Sequence, residues 1–257
     1  MIGFEKVGYG DVVELRKKYL DSLYESQELF MEMQVAAGDY YVIQVGETVG
    51  YFIISSQKIM VEFYLDRKML MDCEEIFLQI CETFNIEKVY CKSFDSVLLK
   101  CCLKHFEKHT VIGTLFRDFT KTEPDAMEGF DVRVATENDI PFLLQQKDGL
   151  YESEEELFYM ARNDKIHMYF QNGNLVGCGY LWRIIEDRNY YDIGMWVNPG
   201  YRKMGFATRI IANLKGNCLK NGRIPVCGCA VDNLASRKTL EKNGFISKHD
   251  LIEFSIK

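Results

Sequence analysis

Apolar and polar positions along the chain alternate in two periods, and the periods predict elements. A helix is expected after Asp11 ("DVVELRKKYLDSL") and another after Asp139 ("DIPFLLQQKDGL"), with the two aspartates as N-caps and Pro141 in an opening turn. Two strands around a tight turn follow in each case: "YYVIQVGETVGYFII" and "IHMYFQNGNLVGCGYLW". Asn172-Gly173 is a strong hairpin signal, because both turn residues must accept positive φ. The chain then offers the strand "YDIGMWV" and a helix whose Phe206, Ile210, Ile211 and Leu214 make one apolar stripe. Asn221-Gly222 stops that helix. "IPVCGCAV" reads as a buried strand, Asn233 caps a short helix ending at Asn243-Gly244, and "LIEFSI" is a last strand. Strands alternating with helices predict an α/β (α+β mixed-sheet) fold.

The order of these elements repeats because the sequence does. "LYESQELF" from Leu23 returns as "LYESEEELF" from Leu150, 127 positions on, and "GETVGYF" from Gly46 pairs with "GNLVGCG" from Gly173 at the same offset. The offset grows to 135 between Arg67 and Arg202 ("RKMLMD", "RKMGFA") and to 137 between "VYCKSFD" from Val89 and "VCGCAVD" from Val226. An insertion in the second half, around "RIIEDRNY" (Arg183 to Tyr190), explains the growth. The polar, Pro-containing "TKTEPDAMEG" (Thr120 to Gly129) reads as a linker. The expected domains are therefore 1–121 and 130–257, about 125 residues each.

Composition narrows the partners. With 257 residues, 47% hydrophobic and 27% charged, the chain describes a folded globular protein with room for two domains. A net charge of −7 argues against nucleic acid, whose phosphates demand a positive footprint. No uncharged apolar run approaches the ~18 residues of a membrane span, and "MIGFEKVGYGD" lacks the pattern of a signal peptide. A cytoplasmic protein is expected, and nothing in the sequence sets an oligomeric state. Nine cysteines, an odd and scattered number, do not read as a disulfide framework. Cys227 and Cys229, two apart in a strand, point to one face; with Cys101-Cys102 they lack zinc spacing, so reduced core thiols are expected and no metal.

"VNPGYRKMGFATRI" carries the chemistry. A strand ends at Val197, Asn198-Pro199-Gly200 turns the chain, and a helix begins near Gly205. A helix N-terminus presents unpaired N–H groups and partial positive charge to an anion. Glycine lets the backbone approach phosphate oxygens, Ala207 keeps the first turn open, Thr208 adds a hydroxyl, and Arg202 and Lys203 charge the rim.

On these residues, with "VRVATENDI" and "AVDNLASRKTLEKNGF" on either side, the second half resembles the GNAT superfamily of acyl-CoA-dependent N-acetyltransferases from Val132 to its end. The resemblance implies two tandem GNAT-like domains, each a mixed, mostly antiparallel sheet flanked by helices. It implies acetyl-CoA as cosubstrate, its pyrophosphate on the turn Arg202, Lys203, Met204, Gly205, Phe206, Ala207 and Thr208. It places the pantetheine arm on Met195, Trp196 and Val197, and Asn233 and Ser236 near the cofactor. Asn233 reads equally as a plain helix N-cap. The implied reaction moves acetyl directly to a primary amine of a small molecule or peptide in a ternary complex, placement doing much of the work.

A base and an acid are needed. Asp192 stands close to the family's usual glutamate, with the solvated edge-strand carboxylate as its other reading; Tyr191 faces the other side and would exchange with it on a one-residue slip. The family's tyrosine acid is Leu240 here, leaving bound water or Ser236. Glu152, Glu154, Glu155 and Glu156 either attract an amine or form a solvated first helical turn. The first half fails at the cradle, with Leu70 where Gly205 stands, Asp72 where Ala207 stands and Ser96 for Asn233. It reads as a decayed copy. Two rivals remain open: a non-catalytic CoA-binding sensor or scaffold, and a transferase using aminoacyl-transfer RNA as tandem relatives do, which the acidic balance and intact turn disfavour.

Overall fold

The computed structural model describes residues 2–120, 129–146, 149–151 and 153–255. Residues 121–128, most of the expected linker, lie outside them. The chain divides into two compact units, Met1–Leu115 with Ser247–Lys257, and Phe116–Ile246.

The first unit runs β1 (Gly3–Val7), α1 (Tyr9–Ser22), α2 (Leu29–Ala36), β2 (Asp39–Val45), β3 (Glu47–Ile54), β4 (Ile59–Leu65), a 3-10 turn (Arg67–Asp72), α3 (Cys73–Phe84), β5 (Lys88–Lys92), α4 (Ser96–His105) and the start of β6 (Lys108–Phe119). The second continues from β6 through β7 (Asp131–Val134), α5 (Ile140–Leu143), α6 (Glu154–Arg162), β8 (Ile166–Gln171), β9 (Asn174–Arg183), β10 (Tyr190–Val197), a 3-10 turn (Pro199–Tyr201), α7 (Phe206–Lys220), β11 (Ile224–Ala230), α8 (Leu234–Lys242) and the first residues of β12 (Phe245–Ser255).

Each unit closes its sheet with a strand from the other half of the sequence. In the first, the order is β1-β2-β3-β4-β5-β12, with Leu251 to Ser255 antiparallel to Lys92 to Lys88. In the second it is β7-β8-β9-β10-β11-β6. All pairs with a recorded register are antiparallel except β4 with β5 and β10 with β11.

The hairpins repeat in detail. Gly50 pairs with Leu65, and Gly177 with Val197. A Cβ on Gly50 would stand 2.2 Å from the Tyr64 carbonyl, and one on Gly177 2.5 Å from that of Trp196. Both glycines are needed because a neighbouring backbone occupies the side-chain space. This register makes the offset grow in steps. The β9–β10 connection is longer than the β3–β4 one, and Pro199–Tyr201 adds a further turn.

Asp11 is not the N-cap of α1, whose cap position is Gly8, whereas Asp139 holds the cap position of α5 as expected without a side-chain bond to that helix. Each carboxylate reaches back three residues, accepting from the amide of Gly8 (3.0 Å) and of Thr136 (2.8 Å). The helix after Asp139 also ends early, at Leu143. In the first half, Asp95 rather than Ser96 caps α4, accepting from the Leu98 amide.

In the second unit, Phe206, Ile210, Ile211 and Leu214 of α7 pack on Ile193 and Val176 of the sheet. Leu143, Leu157 and Met160 cover the opposite face around Trp196. Each such side chain contributes roughly 1.5–3 kcal/mol on burial. All nine cysteines are free thiols, eight of them buried. No helix among the described residues is long and apolar enough to cross a membrane, and no three His, Cys, Asp or Glu there gather as a metal site would require.

Candidate functional site

The cradle is built by one strand end and one helix start. Asn198 ties the turn: its amide donates to the Val176 carbonyl (3.0 Å), its side-chain Nδ2 to that of Leu175 (3.2 Å), and its Oδ1 accepts from Gly200 (3.1 Å). Arg202 Nε donates back to the Val197 carbonyl at 3.1 Å, which holds the guanidinium at the rim. Lys203 and Gly205 both have positive φ, +64° and +87°. Two left-handed residues one apart bend the backbone sharply between the strand end and the helix start. Lys203 accepts this costly conformation without being glycine, which sequence pattern did not reveal.

Gly205 is the N-cap of the 15-residue α7, and no side chain caps that end. The first-turn N–H groups are therefore left facing the space in front of the helix. A Cβ at Gly205 would meet no atom within 4 Å, so that space is open.

A cleft of about 560 Å³ lies there. It gathers Met195, Trp196 and Val197 of β10, Arg202, Lys203, Gly205, Phe206, Ala207 and Thr208 of the turn, and Asn233 and Ser236 of the α8 start. Met204 does not join them; its side chain is 65% exposed. The cleft also takes in Gly149, Tyr201, Ala235 and Thr239, which sequence reasoning missed. Thr239 lies one turn from Ser236, and helical spacing could have found it; its hydroxyl donates to the Ala235 carbonyl (2.9 Å). Asn233 caps α8, accepting from the Ser236 amide at 3.0 Å.

The parallel ladder between β10 and β11 covers three pairs, Tyr190–Ile224, Tyr191–Pro225 and Asp192–Val226. The ladder to β11 stops at Asp192, and further along β10 Met195 to Val197 line the cleft. Asp192 does not line the cleft, and lies about 13 Å along the strand from Trp196. Alternation puts Asp192, Gly194 and Trp196 on one face, with Trp182, Tyr180 and Cys178 paired beside them on β9. Tyr159 of α6 packs on Trp182 (5.4 Å between centroids), and Tyr180 donates to the Leu150 carbonyl at 2.6 Å. Tyr191 faces the opposite way, under the guanidinium of Arg223. Leu240 is buried in the core beneath α7. Burial pushes the Cys227 thiol well up, and the Asp192 carboxylate adds to this, so Cys227 is no nucleophile.

Of the acidic run, Glu152 lies outside the described residues. Ser153 caps α6, and Glu154, Glu155 and Glu156 form its first turn, the first two exposed.

The first unit is built differently at both places. Arg67–Asp72 winds into a 3-10 turn, Leu70 packs on the hydrophobic core and α3 starts at Cys73. The hairpin register sets Glu62 of β4 where Gly194 stands in β10. Glu62 is fully buried. It accepts from Arg16 Nε (3.0 Å) and Nη2 (2.9 Å), Gln27 Nε2 (2.8 Å) and the Tyr51 hydroxyl (2.7 Å). Arg16 also pairs with Glu32. Lys92 donates to Tyr19 (2.7 Å) and Gln27 (2.9 Å), and Tyr19 to Asp95 (2.7 Å). Burial raises the Tyr19 and Tyr51 phenols and the Asp95 carboxyl. Charged side chains thus gather on the face where the second unit has Gly194 under the Tyr180 ring.

Comparison with known proteins agrees for both halves. Residues 9–119 match a family model described as an acetyltransferase (GNAT) domain, and residues 132–245 one described as the acetyltransferase (GNAT) family. No curated protein matches. An acetyltransferase from the GNAT family from Colwellia psychrerythraea shares the fold at TM-score 0.88 and 18% identity, over 99% of this chain and 100% of that one. A GCN5-related N-acetyltransferase from Sphaerobacter thermophilus gives 0.66 and 12%, over 98% and 94%. A tandem GNAT protein from the clavulanic acid biosynthesis pathway gives 0.61 and 11%, over 100% and 98%.

Proposed function

We propose that this chain, which belongs to the GNAT acetyltransferase family as a tandem of two such domains, uses its second unit to move an acetyl group from acetyl-CoA to a primary amine of a small molecule or peptide. The observation that carries this reading is the uncapped start of α7 with Gly205 at φ +87° and open space before it. A diphosphate fits such a cradle: it accepts from the orphan N–H groups and meets Arg202 and Lys203 at the rim. Main-chain groups of Met195 to Val197 hold the pantetheine arm along β10, and Asn233 and Ser236 form the opposite wall.

Bound acetyl-CoA supplies an activated acyl carbon; the protein supplies position and proton transfer. Asp192, at the end of the β10–β11 ladder, takes the proton from the acceptor ammonium, and the Ser236 hydroxyl relays the proton lost by the newly acylated nitrogen to the departing thiolate. Transfer is direct, in a ternary complex, so no residue carries the acetyl group. The aromatic face of Trp182, Tyr180 and Trp196 beside Asp192 suits a cationic amine.

Release of free thiol from acetyl-CoA, measured against a panel of amines, tests the proposal. Turnover with any acceptor supports it. CoA binding without turnover on any of them moves the assignment to the second reading, a CoA-binding sensor. Leu240 favours that reading, because burial in the core leaves no phenol at the position where the resemblance expects the acid.

A further inference from the structure

We propose a second reactive centre, in the first unit: Ser93 and His249 form a nucleophile–base pair, with the Glu25 carboxylate beside the ring, that activates the Ser93 hydroxyl towards small esters or thioesters.

Ser93 follows β5 and lies beside Asp250 of β12. Its amide donates to the Asp250 carbonyl (2.9 Å), and the Asp250 amide donates to Ser93 Oγ (3.0 Å). Oγ is thereby an acceptor on one side, and its proton is directed to its other neighbour, His249 Nδ1, at 3.3 Å. In the proposed pair Nδ1 is the acceptor, the tautomer that carries its proton on Nε2. Nε2 faces Glu25 Oε1 at 3.6 Å. The ring is held edge-on between Tyr24 (5.6 Å) and Phe94 (5.3 Å). Hydroxyl to imidazole to carboxylate is the order an activated serine needs.

A substrate has somewhere to sit. A cleft of about 440 Å³ opens on Ser93, with Tyr24, Phe94, Leu99 and Leu103 as mostly apolar walls. It reaches Ser96, the first residue of the ten-residue α4. None of Ser93, His249 and Glu25 lines the cleft of the second unit.

The step balances. Oγ bonds to the acyl carbon as the C–O or C–S bond to the leaving group breaks, and the Ser93 proton passes through His249 Nδ1 to that group. Water then attacks the acyl-serine, returning a proton to Oγ through His249 and releasing the acid. A purely structural latch between β12 and the β5 loop has the same hydrogen bonds but no reactivity.

The full-length chain is treated with a fluorophosphonate and its peptides weighed; separately, hydrolysis of p-nitrophenyl acetate and butyrate is followed. One adduct per chain is expected, on Ser93. Ser93→Ala and His249→Gln should lose about 100-fold or more of the ester turnover. Glu25→Gln, a positioning change, should slow labelling, and Glu25→Asp should restore part of the rate. Ser93→Ala leaves the Asp250 amide without its acceptor, so mapping the label on the unaltered protein decides the matter if that variant folds poorly. No adduct, an adduct on another residue, or undiminished turnover in a folded Ser93→Ala would overturn the proposal.

Discussion

Replacing Gly205 by alanine and by leucine separates what the α7 turn costs the fold from what it gives a ligand. At φ +87° any L side chain costs about 1–2 kcal/mol. Because a Cβ there meets no protein atom within 4 Å, the fold pays nothing further for it. A loss of about 1–2 kcal/mol lowers the melting temperature of a domain of this size by roughly 4–8 °C. The ligand is affected through its hydrogen bonds. Each backbone N–H bond to a charged oxygen contributes about 1.5–3 kcal/mol, and a side chain in the cradle lifts the diphosphate off one or two of them. Alanine, a single methyl, should weaken CoA about tenfold, and leucine by about 10³-fold or more. Calorimetric titration of CoA into the wild type, both Gly205 variants and Leu70→Gly measures this. One site per chain is expected, with Leu70→Gly binding as the wild type does, since Leu70 is committed to the core of the first unit. Two sites per chain, or Gly205→Leu binding within twofold of the wild type, would refute the reasoning.

Asp192→Asn should lower kcat for amine acetylation about 10²–10⁴-fold while KM for acetyl-CoA holds within twofold; an unchanged kcat removes Asp192 as the base. Glu62→Ala leaves Arg16, Gln27 and Tyr51 without their shared acceptor. It should destabilise the first unit by about 3–5 kcal/mol, read as an early urea transition with CoA binding retained; a transition at the wild-type midpoint contradicts this. His167 is held below its ordinary value by burial, with Arg223 adding to the effect and Asp164 opposing it. A lowered imidazole contributes stability that is present above about 6.5 and lost as pH falls through the folded value. His167→Gln should therefore flatten the fall in melting temperature between about pH 7.5 and 5.5, and a parallel fall in both proteins argues against it.

The parts of the site that were legible lie within a few residues of one another. Asn198, Gly200, Arg202 and Gly205 announce a turn and an open helix start because each acts on its own backbone or on a neighbour's. The tandem arrangement was legible for a related reason: apolar period and turn residues recur at nearly constant offset. One cap expectation failed and another held only in position, where side chains had a choice of partner. Asp11 and Asp139 could cap from in front or reach back, and the conformation of Gly8 and Thr136 decided for reaching back.

By itself the sequence determined the elements, their repetition, and which copy keeps an unblocked helix start. Glu62 in "IMVEFYL" marks a polar side chain inside an apolar strand, but its partner Arg16 lies 46 positions away, and Lys92 reaches Tyr19 across 73. Ser93 and His249 are 156 apart. Tertiary structure alone decided these, together with the strand that completes each sheet. β6 and β12, of 12 and 11 residues, are both long enough to pair with β5 or β11. Backbone hydrogen bonding does not distinguish between them. Local chemistry fixes what depends on the nearest few residues. Pairing across a sheet depends on register, and that is settled only when the whole unit has packed.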